Sequence, residues 1–275
     1  MTTFSRIEPL GFDPTIPNAA RVYDYFMGGK DNFAADREAA RKALELAPEL
    51  PMMCREGRRF LDRVVRHLAA QGIRQFVDVG CGLPTQGNTH EIAQAAAPGS
   101  RVVYVDNDPV VVAHARALLE TTENTAVINA DMRTPEQILG HPRLKELIDL
   151  DRPVAVLLLF MLDRIPEDDL AAGIVRCFRD AVVPGSHLAI GHSVSDLRPE
   201  ATAGLADLFQ TNGMISGHRH RAQQRTKADV ERLFEGLSIV EPGVVYVPFW
   251  RPDHPGETTG ATRIWTVGGI GRKDG

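Results

Sequence analysis

Cysteine is scarce in this chain: Cys54, Cys81 and Cys177 stand far apart among 275 residues and form no C-x-x-C pair. That spacing argues against a structural zinc site and for a reducing compartment. Long apolar runs are missing too, and the first residues are polar and proline-bearing. The sequence therefore predicts neither a membrane span nor a signal peptide, and the expected location is cytoplasmic. An excess of positive charge is also absent. The net charge of −5 gives no general electrostatic reason to bind nucleic acid or an anionic membrane. Lysine is rare (Lys30, Lys42, Lys145, Lys227 and Lys273), and the far more numerous arginines are scattered and form no patch. No internal repeat occurs. What remains, 43% hydrophobic and 24% charged residues, is an ordinary globular composition. The length suits one large α/β domain or two small ones.

The chain is organised around residues 75–84, Gln75-Phe76-Val77-Asp78-Val79-Gly80-Cys81-Gly82-Leu83-Pro84. A short apolar run meets a carboxylate and a Gly-x-Gly turn, and a helical stretch follows from about Asn88. This is the sequence form of a parallel strand that delivers a small ligand to its carboxyl end. Gly80 and Gly82 permit the tight turn and a close approach to the backbone, and the next helix start offers free N–H groups. A dinucleotide fingerprint needs a third glycine where this chain has Thr85. Asp78 would repel a pyrophosphate and suits a ligand bearing an ammonium. S-adenosylmethionine carries an ammonium and a sulfonium and has no phosphate. An ordinary glycine turn after an acidic strand end is the plain alternative.

Residues 1–17 hold three prolines and read as an extended arm. Asn18 is placed to cap a helix over 19–27, which Gly28-Gly29 should stop. Further helices are expected over 34–46, ended by Pro48, and over 52–71, with Phe60, Val64 and Leu68 on its apolar face. Residues 1–72 thus form an arm and helical segment ahead of the first strand. They act either as a packing layer or as a lid that sets Tyr23, Tyr25, Phe26 and the Gly28-Gly29 turn over the ligand. Beyond it, 73–275 should form one compact unit with this cap. After the helix over 89–97, the strand 101–106 ends in Asp106, where a carboxylate can accept from both hydroxyls of a ribose. Asp108 is the better N-cap for the helix over 110–120. A third strand, 125–131, ends in Asp131, which can accept from an adenine amine, and Met132 can pack on the ring.

Residues 154–160 are the most apolar run and predict the central strand. The loop 161–166, at the reaction end, contains Asp163. A helix over 167–182 and a fifth strand over 186–190 follow, then Gly191-His192-Ser193 on the ligand side. A polar helix spans 200–212. In the basic stretch 217–221, His218 and His220 alternate with arginines without a nearby carboxylate, so no metal is expected. Thr226 caps a helix over 227–235. Strand-like stretches at 237–249 and 263–267 flank a turn-rich segment, 251–262.

Five strand–helix units, a helix and two late strands define a doubly wound, Rossmann-like α/β sheet, mostly parallel with an antiparallel last strand. A reversed final strand points to the class I methyltransferase arrangement. Nearly the whole chain resembles an actinobacterial family of S-adenosylmethionine-dependent methyltransferases long labelled a domain of unknown function. The matching stretches are Ala20-Arg21-Val22-Tyr23-Asp24-Tyr25-Phe26-Met27-Gly28-Gly29-Lys30-Asp31-Asn32, the loop 80–91, and Val240-Glu241-Pro242-Gly243-Val244. The resemblance implies that Asp78, Gly80 and Gly82 contact the methionine part of the cofactor, Asp106 the ribose and Asp131 the adenine. Cys81, Asn107, Met132, Phe160, Gly28 and Gly29 complete the candidate cofactor contacts. Two departures stand out. Pro84 replaces the common third glycine of the loop, and Asp163 stands where the family usually has a histidine.

Methyl transfer from a sulfonium needs an aligned acceptor, exclusion of water and sometimes removal of a proton. Candidate proton acceptors are His90, Asp163 and His192, and Tyr23 or Tyr25 can orient the acceptor. The leading expectation is transfer to a small-molecule acceptor. The alternatives are a non-catalytic S-adenosylmethionine-binding sensor or scaffold, and an NAD(P)-dependent oxidoreductase, which Asp78 and Thr85 disfavour.

Overall fold

The computed structural model describes residues 12–85, 87–215, 224–254 and 263–275. The basic stretch 217–221, the first part of the arm and most of the 251–262 turn region lie outside the described residues.

Three helices come first: α1 (Ala19–Phe26), α2 (Ala34–Leu46) and α3 (Leu50–Ala70). Asn18 caps α1 as expected, its side-chain oxygen accepting from the Ala20 N–H at 2.7 Å. Gly28 then adopts φ +80°, a backbone that glycine tolerates without strain. Helix α3 begins two residues earlier than expected, because Pro51 sits at its first turn, where no N–H is needed.

The alternating units follow: β1 (Gln75–Val79), α4 (Thr89–Ala96), β2 (Arg101–Asp106), α5 (Pro109–Leu119) and β3 (Thr125–Asn129). Two short helices, α6 (Pro135–Gly140) and α7 (Pro142–Leu147), each start on a proline. They lead to β4 (Ala155–Leu159), α8 (Asp168–Ala181) and β5 (His187–Ser193). The last part holds α9 (Pro199–Thr211), α10 (Lys227–Arg232), β6 (Ser238–Ile239), β7 (Val245–Tyr246) and β8 (Thr266–Arg272).

The strand order is β3-β2-β1-β4-β5-β8-β6, and β7 also pairs with β8. β1 to β5 pair in parallel, and β8 enters antiparallel between β5 and β6. Because β1 pairs with both β2 and β4, the chain changes winding direction there, and a crevice opens at the carboxyl ends of those strands. Side chains alternate through the strands. Phe76, Val102, Tyr104 and Leu157 join a core with Val22, Phe26, Ala40, Phe60 and Val64 of α1 to α3. Val77, Val103, Val156 and Leu158 face the other way, onto Ile138, Leu144, Ile174 and Phe178. Each fully buried Val, Leu, Ile or Phe among them contributes about 1.5–3 kcal/mol.

Three expectations need correction. β5 continues through Gly191 and His192 to Ser193, so those residues are ladder positions paired with β8, not loop. The 237–249 stretch is not one strand, since only the two-residue pieces β6 and β7 pair with β8, ahead of a 3-10 turn at Val247–Phe249. β8 lies later than expected and runs through Gly268-Gly269-Ile270-Gly271. Glycine disguises the strand, and its reason is packing. A Cβ at Gly268 would collide with the Phe60 ring, and one at Gly271 would lie 2.8 Å from the Phe234 ring. Among the described residues, no helix is long and apolar enough to cross a membrane.

Candidate functional site

At the end of β1 the chain turns through Gly80 (φ +75°) and Gly82 (φ +66°). The two glycines are required for different reasons. A Cβ on Gly80 would run into Met161, whereas one on Gly82 would meet nothing within 4 Å. The first is packed from above; the second faces open space. The Gly80 and Cys81 N–H groups donate to the Val105 carbonyl at 2.7 and 3.1 Å, which holds the turn on β2.

Asp106 ends β2 and ties this turn to the next helix. Its Oδ2 accepts from the Gly82 N–H and its Oδ1 from the Asp108 N–H, both at 3.0 Å. Asp108, as expected, caps α5 by accepting from Val110 and Val111. Burial pushes the Asp106 carboxyl up to about 6, against the hydrogen bonds from Asp108 and Gly82. A carboxylate has about four acceptor positions, so both oxygens can still take a further donor. Asp78, buried beneath the turn, accepts from Thr89 Oγ1 at 2.6 Å, and its pKa is raised by burial. Burial, with Asp106 and Asp78 nearby, also holds the Cys81 thiol far above its ordinary value.

Asp131 is more occupied than its sequence position suggests. Its carboxylate accepts the Arg133 backbone N–H at 2.9 Å, the Arg133 Nε at 3.0 Å and the Asn107 Nδ2 at 3.3 Å. Burial opposes the charge, but these bonds outweigh it and lower the pKa. An adenine amine at this carboxylate would have to displace one of these donors.

Phe160, just past β4, is a non-glycine residue at φ +59°, a conformation that costs about 1–3 kcal/mol. Its N–H donates to the Gly191 carbonyl at 2.8 Å. Its ring lies between two glycines: a Cβ on Gly57 of α3 would come within 2.8 Å of the ring, and one on Gly191 of β5 within 3.0 Å. The surroundings dictate the strain.

These strand ends enclose a cavity of about 320 Å³. Of the expected cofactor contacts, Asp78, Gly80, Cys81 and Gly82 line it from β1, Asp106 and Asn107 from β2, Asp131 and Met132 from after β3, and Phe160 from β4. Tyr23 lines it from α1, with its hydroxyl donating to the Cys54 carbonyl at 3.0 Å. Residues that sequence reasoning missed complete the wall: Asn18 and Ala20, Gly57 and Arg58 of α3, Arg133, and Arg164 in the 3-10 turn after β4. A glycine inside an otherwise helical pattern, as at Gly57, was the one signal available for α3.

The other expected residues do not line this cavity. Gly28 and Gly29 belong to a turn built on Asp24, whose carboxylate accepts from the Asp31 N–H at 3.0 Å and from Asn32 Nδ2 at 2.7 Å. A Cβ on Gly29 would strike that carboxylate. Tyr25 packs edge-on to Phe26, with ring centroids 6.3 Å apart. His90 Nδ1 is 2.8 Å from the Tyr104 hydroxyl beneath α4. His192 is buried, with Nδ1 2.6 Å from the Ser193 carbonyl and Nε2 3.3 Å from Arg225 Nη1. Burial lowers the pKa of both histidines, which keeps the imidazoles neutral. Asp163 accepts from the Ser193 N–H at 2.9 Å and faces His192 Nδ1 at 3.3 Å.

The donor set suits a ligand with a diol, an ammonium and an uncharged ring: two buried carboxylates, a glycine cradle open where a side chain would otherwise project, and a third acid beside Met132. Residues 6–274 match the protein family described as S-adenosyl methyltransferase. Among solved structures, the chain is 43% identical to a candidate methyltransferase from Thermobifida fusca, with a TM-score of 0.87 over 98% of this chain and 100% of that one. It is 41% identical to a DUF574 family protein from Streptomyces avermitilis, with a TM-score of 0.88 over 95% and 99% of the two chains. Comparison with curated proteins gave no match.

Proposed function

Because the chain belongs to the family of S-adenosyl methyltransferases, enzymes that use S-adenosylmethionine, we propose that the cavity at the carboxyl edge of the sheet binds this donor and that a small molecule receives the methyl group. The observation that carries the reading is the pair Asp106 and Gly82, hydrogen-bonded at the cavity wall with acceptor capacity to spare. In this reading Asp106 takes the ribose hydroxyls. The open face of Gly82 takes the methionine part, with Asp78 below it for the ammonium. Met132 and Asp131 border the adenine. Residues up to 72 act as a cover, with Asn18, Ala20 and Tyr23 of α1 and Arg58 of α3 over the site. A cavity of about 320 Å³ falls within the ~300–1,000 Å³ usual for small-ligand sites, as a site for the donor requires.

Bound S-adenosylmethionine supplies a methyl group on a sulfonium, a good leaving group. The protein's part is to hold and orient. Both ring nitrogens of His192 and Nδ1 of His90 are engaged by neighbours, and the Tyr23 hydroxyl is a committed donor. In our reading Tyr23 shapes the site while the two histidines lie outside its wall, and catalysis rests on alignment and exclusion of water more than on a side-chain base. Calorimetric titration with S-adenosylmethionine, S-adenosylhomocysteine and NAD tests this. The first two should bind and NAD should not. Asp106→Ala should weaken S-adenosylmethionine by about 1–3 kcal/mol through lost hydrogen bonds to a buried diol. Unchanged affinity would remove Asp106 from the site.

A further inference from the structure

Three arginines line the cavity, and they differ in what holds them. Arg133 is bound to Asp131. Arg58 donates to the Gly87 carbonyl at 2.6 Å and lies within electrostatic reach of Asp78. Arg164 is half-buried, and among the described residues its guanidinium donates to no acceptor and forms no ion pair. The carboxylate next to it, Asp163, accepts from the Ser193 N–H at the end of β5 and acts on Arg164 only through space.

The turn that carries Arg164 is built firmly. The Leu162 carbonyl accepts from the Ile165 N–H at 3.1 Å and from Arg225 Nη1 at 3.0 Å. Arg225 is itself buried and donates through Nε to Asp168 at 2.9 Å. Asp163 ties the turn to the end of β5 through the Ser193 N–H at 2.9 Å. A firm turn thus holds a guanidinium at a cavity wall where Asp163 and Asp106 act on it only through space and, among the described residues, no acceptor bonds to it directly. Leaving a charge partly desolvated and unpaired is costly, and such an arrangement is explained when a ligand brings the opposite charge. Arg58, within electrostatic reach of Asp78 and Cys81, is the cavity arginine beside the cradle assigned to the methionine moiety, whereas Arg164, on the turn after β4, is within reach of Asp106, which leaves Arg164 for an anion other than the donor's carboxylate.

The geometry points to an acceptor that carries a carboxylate or similarly planar anion, with Arg164 as its bidentate partner and thus the residue that selects the acceptor class. This deepens the proposed function and rests on it. The competing source of the same chemistry is the cofactor's own carboxylate, and the test separates the two. The probes are benzoate and hexanoate against benzamide and hexanamide, added to protein saturated with S-adenosylhomocysteine. The readouts are melting temperature and calorimetric affinity, for wild type, Arg164→Gln and Arg164→Lys. Benzoate, hexanoate or both should raise the melting temperature of the loaded wild type, while the amides should not. Arg164→Gln should abolish that effect, Arg164→Lys should keep part of it, and both variants should bind S-adenosylhomocysteine within about twofold of wild type. The free Arg164→Gln protein should be at least as stable as wild type, since it loses an unpaired charge; a structural arginine would behave oppositely. The inference is overturned if S-adenosylhomocysteine binds Arg164→Gln tenfold or more weakly, because the arginine then holds the cofactor. It is equally overturned if neither carboxylate stabilises the loaded wild type, if amides do as well, or if Arg164→Gln responds like wild type. Failure of wild type to bind S-adenosylhomocysteine would instead refute the donor-site reading.

Discussion

Asp106 must be ionised to accept two hydroxyl protons, yet burial holds its carboxyl near 6 in the free protein. Hydroxyl donors favour the ionised form, so a bound diol lowers that pKa. Below about pH 6 binding then expels a proton. Affinity for S-adenosylmethionine should rise with pH up to about 6, by at most tenfold per unit, and be flat above it on account of this group. Asp106→Asn should bind more weakly at neutral pH and lose the step near 6. Calorimetry between pH 5 and 8, in buffers of different ionisation enthalpy, reads both affinity and proton release; a step that survives in the Asn variant belongs to another residue. Asp78 and Asp106 were legible in the sequence as acids at the carboxyl ends of β1 and β2, but Asp131, expected to end the third strand, lies two residues beyond β3, which stops at Asn129. The partners of these acids were not legible. That Arg133 folds back on Asp131, or that Phe160 takes a positive φ between Gly57 and Gly191, depends on side chains brought together from distant parts of the chain.

At the scale of elements, the junction of α1 and α2 is held by one buried carboxylate. Asp36 accepts from Arg21 Nε at 3.0 Å, from the Asn18 N–H at 2.8 Å and from the Phe33 N–H at 2.8 Å. It thereby fastens the cap of α1 and the start of α2 together, and Arg21 also lies 3.9 Å from Asp108 at the head of α5. The caps and the Gly28-Gly29 stop were readable from local patterns. The polar detail after α1, which suggested a lid, is instead spent on the Asp24 turn. Asp36→Ala removes the close ion pair of buried Arg21, leaving it the Ile16 carbonyl and the longer contact to Asp108, and should cost up to about 3–5 kcal/mol. It should also weaken S-adenosylmethionine binding, because Asn18 and Ala20 line the cavity. Urea unfolding and calorimetry check the two effects separately. A loss below about 1 kcal/mol would mean that α1 is held by apolar packing alone, and intact affinity in a destabilised variant would detach α1 from the site.

For the whole molecule, the succession of strands and helices carried the architecture, since both faces of each strand had to be covered and parallel neighbours need crossover helices. The reach of β8 was hidden by its glycines, and the order of strands is a long-range property that no local pattern encodes. The assembled core also determines how the protein responds to acid. Burial lowers the pKa of His67, His90, His187 and His192, that of His187 to about 4. Unfolded, each returns to about 6.5. The unfolded chain therefore binds more protons between about pH 4 and 6.5, and the histidine contribution to stability is lost as pH falls through that window. Asp106 acts in the opposite sense: raised to about 6, it favours the folded state most below pH 4 and loses that contribution as pH rises through 6. His187 separates the two terms, because it sits at the far end of β5 from the cavity with its Nδ1 buried and, among the described residues, without a hydrogen-bond partner. His187→Leu should match or slightly exceed wild type at pH 7, since an unsatisfied polar atom is removed. Its advantage in melting temperature should widen as pH drops from 7 to 5, where only the wild type must either keep that ring neutral or unfold to protonate it. A gap between the two proteins that stays constant over that range would show that His187 does not titrate against folding.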